Sequence, residues 1–438
     1  MDHRNGEGSG QARFAAYVER LAGVLGHADR AAPLKAYCTG LILPGERKSI
    51  EPIAARVEPG RVPAAHQSLH HFVAKAEWSH EALLAVVRAE VLPEVEQHGP
   101  IRAWIIDDTS FPKKGRHSVG VRRQYCGQRG KQDNCQIAVT LSVANAHASL
   151  PVAYRLYLPE VWAKDPECRA KAGVPDEVVF QTKPEIALEH IGSALAAGVA
   201  HGVVLADAGY GVDTAFRTAL TALGLLYLLG IQSSTSLWPP GSAPLPPKSW
   251  SGRGRPPTRV RRNPDHRPLS ALALAKQLPA QAWQDVTWRE GTNAPLTSRF
   301  AAVRVRPAHR DHLRHEPRPE EWFLVEWPAG EREPTKYWLS SLPPDTALTE
   351  LVDGAKLRWR IERDYQELKQ EIGLGHYEGR GWRGFHHHAA LCIAAYGFLV
   401  CERGRIPPSG AETPILPAPS LPNGYRPRGA SRQTGASR

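Results

Sequence analysis

Arg358, Glu362 and Lys369 hold one carboxylate between two cations at helical spacing. An α-helix advances about 100° per residue, so these three side chains fall within roughly 60° of one another. Glu367 and Glu371 lie roughly 140° and 180° around the helix from Glu362 and are poorer candidates. Two aspartates stand upstream where strand-like apolar runs end, in Trp104-Ile-Ile-Asp-Asp108 and Val203-Val-Leu-Ala-Asp207. Two strand-borne carboxylates and one helix-borne carboxylate, set among cations, suit divalent metals acting on a nucleic-acid phosphate.

Each member has a plainer reading. Asp107-Asp108-Thr109-Ser110 is also ordinary turn material. A buried central strand need not alternate, so the pattern leaves open which of Asp107 and Asp108 faces a metal. Asp207 precedes Ala-Gly-Tyr-Gly, so the chain turns directly after the carboxylate, while Asp213 reads as the N-cap of the next helix. The helix around Glu362 could be a solvated face with i, i+4 ion pairs.

The surrounding charge argues for a polyanionic partner. The chain has 438 residues and a formal charge of +11, and the charge is clustered. Lys113, Lys114, Arg116, Arg122, Arg123, Arg129 and Lys131 crowd one segment, with no acid before Asp133. A second run, from Arg253 to Arg267, is opposed only by Asp265. Two such runs flanking candidate carboxylates favour a nucleic-acid partner over plain solubility, with Lys113, Lys114, Arg122, Arg123, Arg253 and Arg255 as contacts. Arg253-Gly-Arg-Pro256 could enter a narrow A·T minor groove or simply meet phosphates. His386-His387-His388 cannot chelate one ion, because neighbours on a helix point about 100° apart; a helix-start or DNA-facing cluster is expected there. Neither a phosphate-binding G-x-x-x-x-G-K-[ST] loop nor H-E-x-x-H occurs, so no nucleotide cofactor is implied.

The elements that must position these groups change character along the chain. Residues 1–11 are polar and Gly-rich and are expected to be disordered, with no apolar leader. Residues 12–98 read as helices with i, i+3, i+4 apolar spacing, Ser79 serving as an N-cap, and are taken as a helical DNA-binding region; a helix-turn-helix and a plain bundle remain equally open. From Gly99-Pro100 the texture becomes strand-rich. Three strands in a row, then alternating helix and strand, describe a mixed α/β sheet over 99–232. Residues 233–340 read as an insertion whose Pro/Gly/Ser/Arg-rich opening, to about Pro279, is loop. Residues 341–405 return to helix, one running from about Leu348 to Ile372 and another from Phe385 to Arg403. Residues 406–438 are expected to be a disordered tail. Hydrophobic content of 42% and charged content of 23% are those of a globular protein. With no run of about 18 apolar residues and no paired cysteine motif, a soluble cytoplasmic protein with reduced thiols is expected.

These residues resemble the DDE transposases of bacterial insertion sequences, in the IS-four-like group whose signature is Y-x2-R-x3-E-x6-K. Arg358, Glu362 and Lys369 match the R, E and K, whereas the Tyr position holds Ala355, a departure for which Tyr365 is a substitute to consider. Asp108-Thr109-Ser110 resembles the first Asp motif and Leu205-Ala-Asp207 the second, and Phe111-Pro-Lys-Lys-Gly115, Gln124-Tyr-Cys-Gly127 and Asn134-Cys-Gln136 are familiar from one branch. The resemblance implies an α/β fold: an RNase H-like catalytic core with a β-rich insertion between Asp207 and Glu362, preceded by the helical region. It implies Asp108, Asp207 and Glu362 as catalytic ligands of two Mg2+ ions (Mn2+ can substitute) about 4 Å apart, with Arg358 and Lys369 clamping phosphates. Its partners would be double-stranded DNA, both terminal inverted repeats and target, and a second copy of the chain in the active complex, associated with the bacterial nucleoid and not with a membrane. An inactive DNA-binding repressor and a stand-alone RNase H-like nuclease are the competing readings. A sugar-cleaving enzyme fits worst, because the carboxylates sit among cations.

Overall fold

The computed structural model describes residues 9–289 and 296–405. The disorder expected for 1–8 and 406–438 falls outside that range. Five helices open the chain: α1 (Gly10–Ala22), α2 (Ala31–Ile42), α3 (Ile50–Val57), α4 (Val62–Ala74) and α5 (His80–Gln97). Helix α1 begins inside the stretch expected to be disordered, because the Ser9 hydroxyl accepts the Ala12 N–H. Ser79 caps α5 in the same way through Ala82.

The strands come next: β1 (Ala103–Pro112), β2 (Arg122–Cys126), β3 (Lys131–Ala144) and β4 (Ser149–Leu156). Short helices α6 (Glu160–Ala163) and α7 (Pro166–Ala172) lead to α8 (Lys183–Ala196). Then follow β5 (Val203–Ala206), α9 (Ala208–Gly211), α10 (Thr214–Ala222) and β6 (Tyr227–Ile231). β1, β5 and β6 are parallel neighbours, and β3 runs antiparallel to β1 with β2 and β4 on its far edge.

The insertion is not a separate lobe. It supplies β7 (Ser236–Trp238), β8 (Leu269–Ser270), α11 (Ala271–Gln277), β9 (Trp283–Arg289), β10 (Leu296–Pro307), β11 (Glu321–Trp327) and β12 (Lys336–Ser340). β12 pairs antiparallel with β6, Tyr337 opposite Ile231, so the insertion extends the same sheet to 12 strands. The stretch read as loop up to Pro279 therefore needs correction. Its β7 and β8 pair at the sheet's end, and Leu274 and Ala275 of α11 are buried there. Two- and three-residue strands carry too little periodicity to be read against a Pro/Gly background.

The chain ends in α12 (Leu348–Leu357), α13 (Trp359–Gln370) and α14 (Trp382–Gly404). The single helix expected over 348–372 is two, joined at Arg358. Helix α14 packs against α5, α2, α4 and β4, and one hydrophobic cluster unites the opening helices with the sheet. α14 is long and apolar enough to cross a membrane by composition, yet most of it is buried inside the protein.

This burial corrects the reading of the three histidines. His386, His387 and His388 are each only 2% exposed and face no solvent. Their divergence around the helix lets each find its own partners. His386 accepts the Leu156 N–H, His387 lies between the carbonyls of Val73 and Trp78, and His388 lies between the Gly373 carbonyl and the Tyr37 hydroxyl. Burial pushes all three below the usual imidazole range, His387 and His388 to about 4.

Candidate active site

The last β1–β5 partners are Ile105 and Leu205, so the Asp107-Asp108 doublet lies just past the point where β5 gives way to the Asp207 turn. One edge of β1 is uncovered there, and that end of the sheet is where its side chains can meet a substrate. The turn is made tight by packing. The Asp207 carboxylate accepts the Gly209 N–H at 2.8 Å, and a Cβ on Gly211 would stand 1.9 Å from the Gly230 carbonyl oxygen of β6. Only glycine permits that approach.

Alternation sends the doublet's two carboxylates to opposite sides of β1. Asp107 stands opposite Thr140 on β3 and turns toward α13, where Arg358 lies 3.2 Å from it and Tyr365 packs close by. Burial pushes the Asp107 carboxyl up to about 7; the Arg358 guanidinium opposes this, while the charges of Asp207 and Asp108 reinforce it. Asp108 turns toward the start of α8. Its two oxygens take the Lys183 ammonium at 2.5 Å and the Tyr210 hydroxyl at 2.5 Å. Of the two, Asp108 is the more open, its side chain 31% exposed against 17% for Asp107.

Tyr210 belongs to the Asp207 turn, so its bond to Asp108 ties the first aspartate motif to the second. Its own hydroxyl is raised well above the phenol range by burial and then by Asp108, with Asp107 and Asp207 contributing. Lys183 is fixed by the first turn of α8, whose Thr182–Glu185 capping box sets where the helix starts. Neither residue was picked out from the sequence. The only local signal for Tyr210 was its place three residues after Asp207, and Lys183 is 75 positions from Asp108.

Glu362 sits in the first turn of α13, its side chain 67% exposed and 3.5 Å from Arg358. Arg358 thus bridges Asp107 and Glu362. Lys369 points inward, donating to the Ser110 carbonyl at 3.0 Å and lying over the Phe111 ring, and burial lowers it to about 8. Tyr365 is 6% exposed and lies under the sheet, where it has no access to a DNA strand in place of the missing signature tyrosine. The predicted DNA contacts divide. Lys114, Arg122, Arg123, Arg253 and Arg255 are exposed, whereas the Lys113 ammonium is half-buried and donates to the Tyr377 carbonyl at 2.9 Å.

The donor set suits a divalent metal in part. Carboxylates of Asp107, Asp108 and Asp207 are hard oxygen donors; burial first, and then the charges of Asp207 and Asp108, raise Asp107, and a cation would relieve that repulsion. Among the described residues no three His, Cys, Asp or Glu side chains already stand together closely enough to hold an ion. Glu362 is the arm turned outward.

Three comparisons with known proteins bear on this arrangement. The family described as "DDE superfamily endonuclease" matches residues 20–295. The probable transposase for insertion sequence element IS701 of Microchaete diplosiphon is 34% identical over 321 residues, spanning 71% of this chain and 69% of that protein. The cryo-EM structure of a piggyBac transposase synaptic complex with hairpin DNA aligns at a TM-score of 0.42 and 9% identity, over 92% of this chain and 69% of that one. Members of the matched family generally use divalent metal ions. With most of its length matched by the family and two-thirds of a transposase spanned at this identity, the chain belongs to the DDE superfamily endonucleases, as a transposase of the bacterial insertion-sequence type.

Proposed function

We propose that this transposase cleaves DNA at the terminal inverted repeats of its own element and joins the freed 3′ ends to target DNA, using Asp108, Asp207 and Glu362 to hold two Mg2+ ions, for which Mn2+ can substitute. The observation that carries this reading is the Tyr210–Asp108 bond, which brings the two aspartate motifs together at the open end of β1. Bound there, divalent cations would activate a water or 3′-hydroxyl and stabilise the leaving oxygen.

The chain's own groups do the rest. Lys183 and Tyr210 each hold one oxygen of Asp108 and so fix its orientation. Asp107, the deeper of the pair, positions Arg358 instead of meeting the metal. Arg358 can present two parallel N–H groups to a phosphate beside the scissile bond, and Lys369 adds a point charge on the same helix face. A phosphate that draws Arg358 away from Glu362 would free that carboxylate to turn inward. The sheet order β4–β3–β1–β5–β6, with parallel strands carrying the aspartates, supports an RNase H-like core. The opening helices would contact DNA, and two copies of the chain would act on paired ends.

The test is Mg2+-dependent cleavage and strand transfer on DNA bearing the element's own ends, with Glu362→Gln alongside. Cleavage and joining by the wild type, lost in the variant while binding persists, is the expected result. End-specific binding without cleavage in Mg2+ or Mn2+ would replace this reading with a repressor.

A further inference from the structure

We propose that a basic cleft between α10 and the β10–β11 connection binds a backbone phosphate of the substrate DNA, at a site separate from the carboxylates. This inference rests on the transposase function argued above. The cleft, about 730 Å³, has the start of α10 as one wall and His309, Arg310 and Arg318 as the other. Arg217 is 4% exposed beneath it, its guanidinium donating to the Gly211 carbonyl and to Thr214 Oγ1. Val212 of the lining donates to the carbonyl of Ala208, the residue that follows Asp207 in its turn.

Behind the lining the buried Glu321 faces Arg217 and Arg318, but on the cleft wall itself two arginines stand against one acid. Asp213 is the single acid of the lining, and its Oδ1 is occupied by the N–H groups of Ala215 at 2.7 Å and Phe216 at 3.1 Å. Arg318 Nε is buried with no hydrogen-bond partner, and its Nη2 reaches only the His309 carbonyl, at 3.4 Å. A buried guanidinium nitrogen without an acceptor is costly, and a phosphate oxygen is the acceptor that would complete it. Burial, helped by Arg310, Arg318 and Arg217 and opposed by Asp213, holds His309 below its usual range, as expected where cations outnumber acids.

The opposite wall is built to hold its cations there. Arg310 has φ 51°, the only non-glycine residue with positive φ among those described. Such a conformation is strained for any residue with a Cβ and persists only where the surroundings impose it. They do so through the next residue. Asp311 is 1% exposed and accepts from Trp238 Nε1 at 2.7 Å and Arg262 Nε at 2.9 Å. The buried acid anchors the loop, and the strained arginine is turned outward beside α10.

The experiment is fluorescence anisotropy of the full chain with a duplex carrying the element's end, over a range of salt, with phosphate-ethylation interference on the same DNA. Arg310→Gly removes the cation but keeps the backbone, since glycine takes this φ freely. It is measured alone and with Arg318→Gln, so that the single variant decides the matter if the double one fails to fold. Arg332→Glu, in the exposed turn between β11 and β12, is the control. The expected result is affinity about tenfold weaker in the double variant, a salt slope lower by roughly 1 per lost contact, and loss of interference at one backbone position. Wild-type binding with unchanged affinity, slope and interference in folded variants overturns this inference alone. A wild type that does not bind the end DNA overturns both this inference and the transposition reading.

Discussion

The Arg358 guanidinium lies 3.2 Å from the Asp107 carboxylate, with its other arm 3.5 Å from Glu362. One cation from the joint between α12 and α13 thus spans an acid on the strand and an acid on the helix. It neutralises carboxylates that would otherwise repel one another. Replacing Arg358 with Ala should leave Asp107 buried beside two like charges and lower both stability and cleavage. Lys, which cannot span both acids with a planar fork, should restore stability better than activity. Equal rescue of both by Lys would show that only the charge matters.

The doublet's two members should separate by substitution. Asp108→Asn is expected to lower cleavage by roughly a thousandfold or more, the scale of losing a group that acts directly at the reacting phosphate, with DNA binding retained. Asp107→Asn should cost on the order of tenfold, because it releases Arg358. Single-turnover cleavage assays would read this order, and the reverse order would transfer the ligand role to Asp107.

Chelation by EDTA should abolish cleavage and leave end binding in place. A second readout needs no activity. Mg2+ should raise the melting temperature of the wild type and do so less in Asp108→Asn and Asp207→Asn, since a ligand that binds only the folded state stabilises it. Equal shifts in all three proteins would place the metal elsewhere.

Two pH dependences follow from burial, with opposite directions. Lys369 is lowered to about 8, so its charge is lost as pH rises through that value. Phosphate affinity should fall above pH 8, and Lys369→Arg should flatten the profile. The buried histidines act on stability. Folded His190, His387 and His388 protonate near 4 and the unfolded chain near 6.5, so unfolded molecules bind more protons between those values. Their contribution is complete above about pH 6.5 and is lost as pH falls toward 4, by at most roughly 3 kcal/mol each. Urea midpoints across pH 4–7 would show the loss, and His387→Gln should make it less steep.

Gly211→Ala should act through geometry. Its added carbon would meet the Gly230 carbonyl at 1.9 Å and force the Asp207 turn off β6. A cost of about 1–3 kcal/mol and a matching loss of cleavage are expected. Thermal melting and cleavage both at wild-type level would show that the turn can shift freely.

The sequence by itself supplied the family signature and the spacing of the candidate site residues. Asp108, Asp207, Arg358, Glu362 and Lys369 could be put forward as candidates because strand ends and helical repeats are local properties, and most long strands and helices were legible for the same reason. What pairs across the chain was not. Lys183 and Tyr210 reach Asp108 through bonds between residues 75 and 102 positions apart, set by the packing of α8 and the Asp207 turn on the sheet. The insertion's place as a continuation of the catalytic sheet depends on β12 finding β6, more than 100 residues upstream. The three histidines looked like surface residues because polarity usually means exposure, until α14 found carbonyl partners for each inside the core. Local order is written in neighbouring residues; burial, charge pairing and the direction of Asp107 and Asp108 exist only once distant segments close around them.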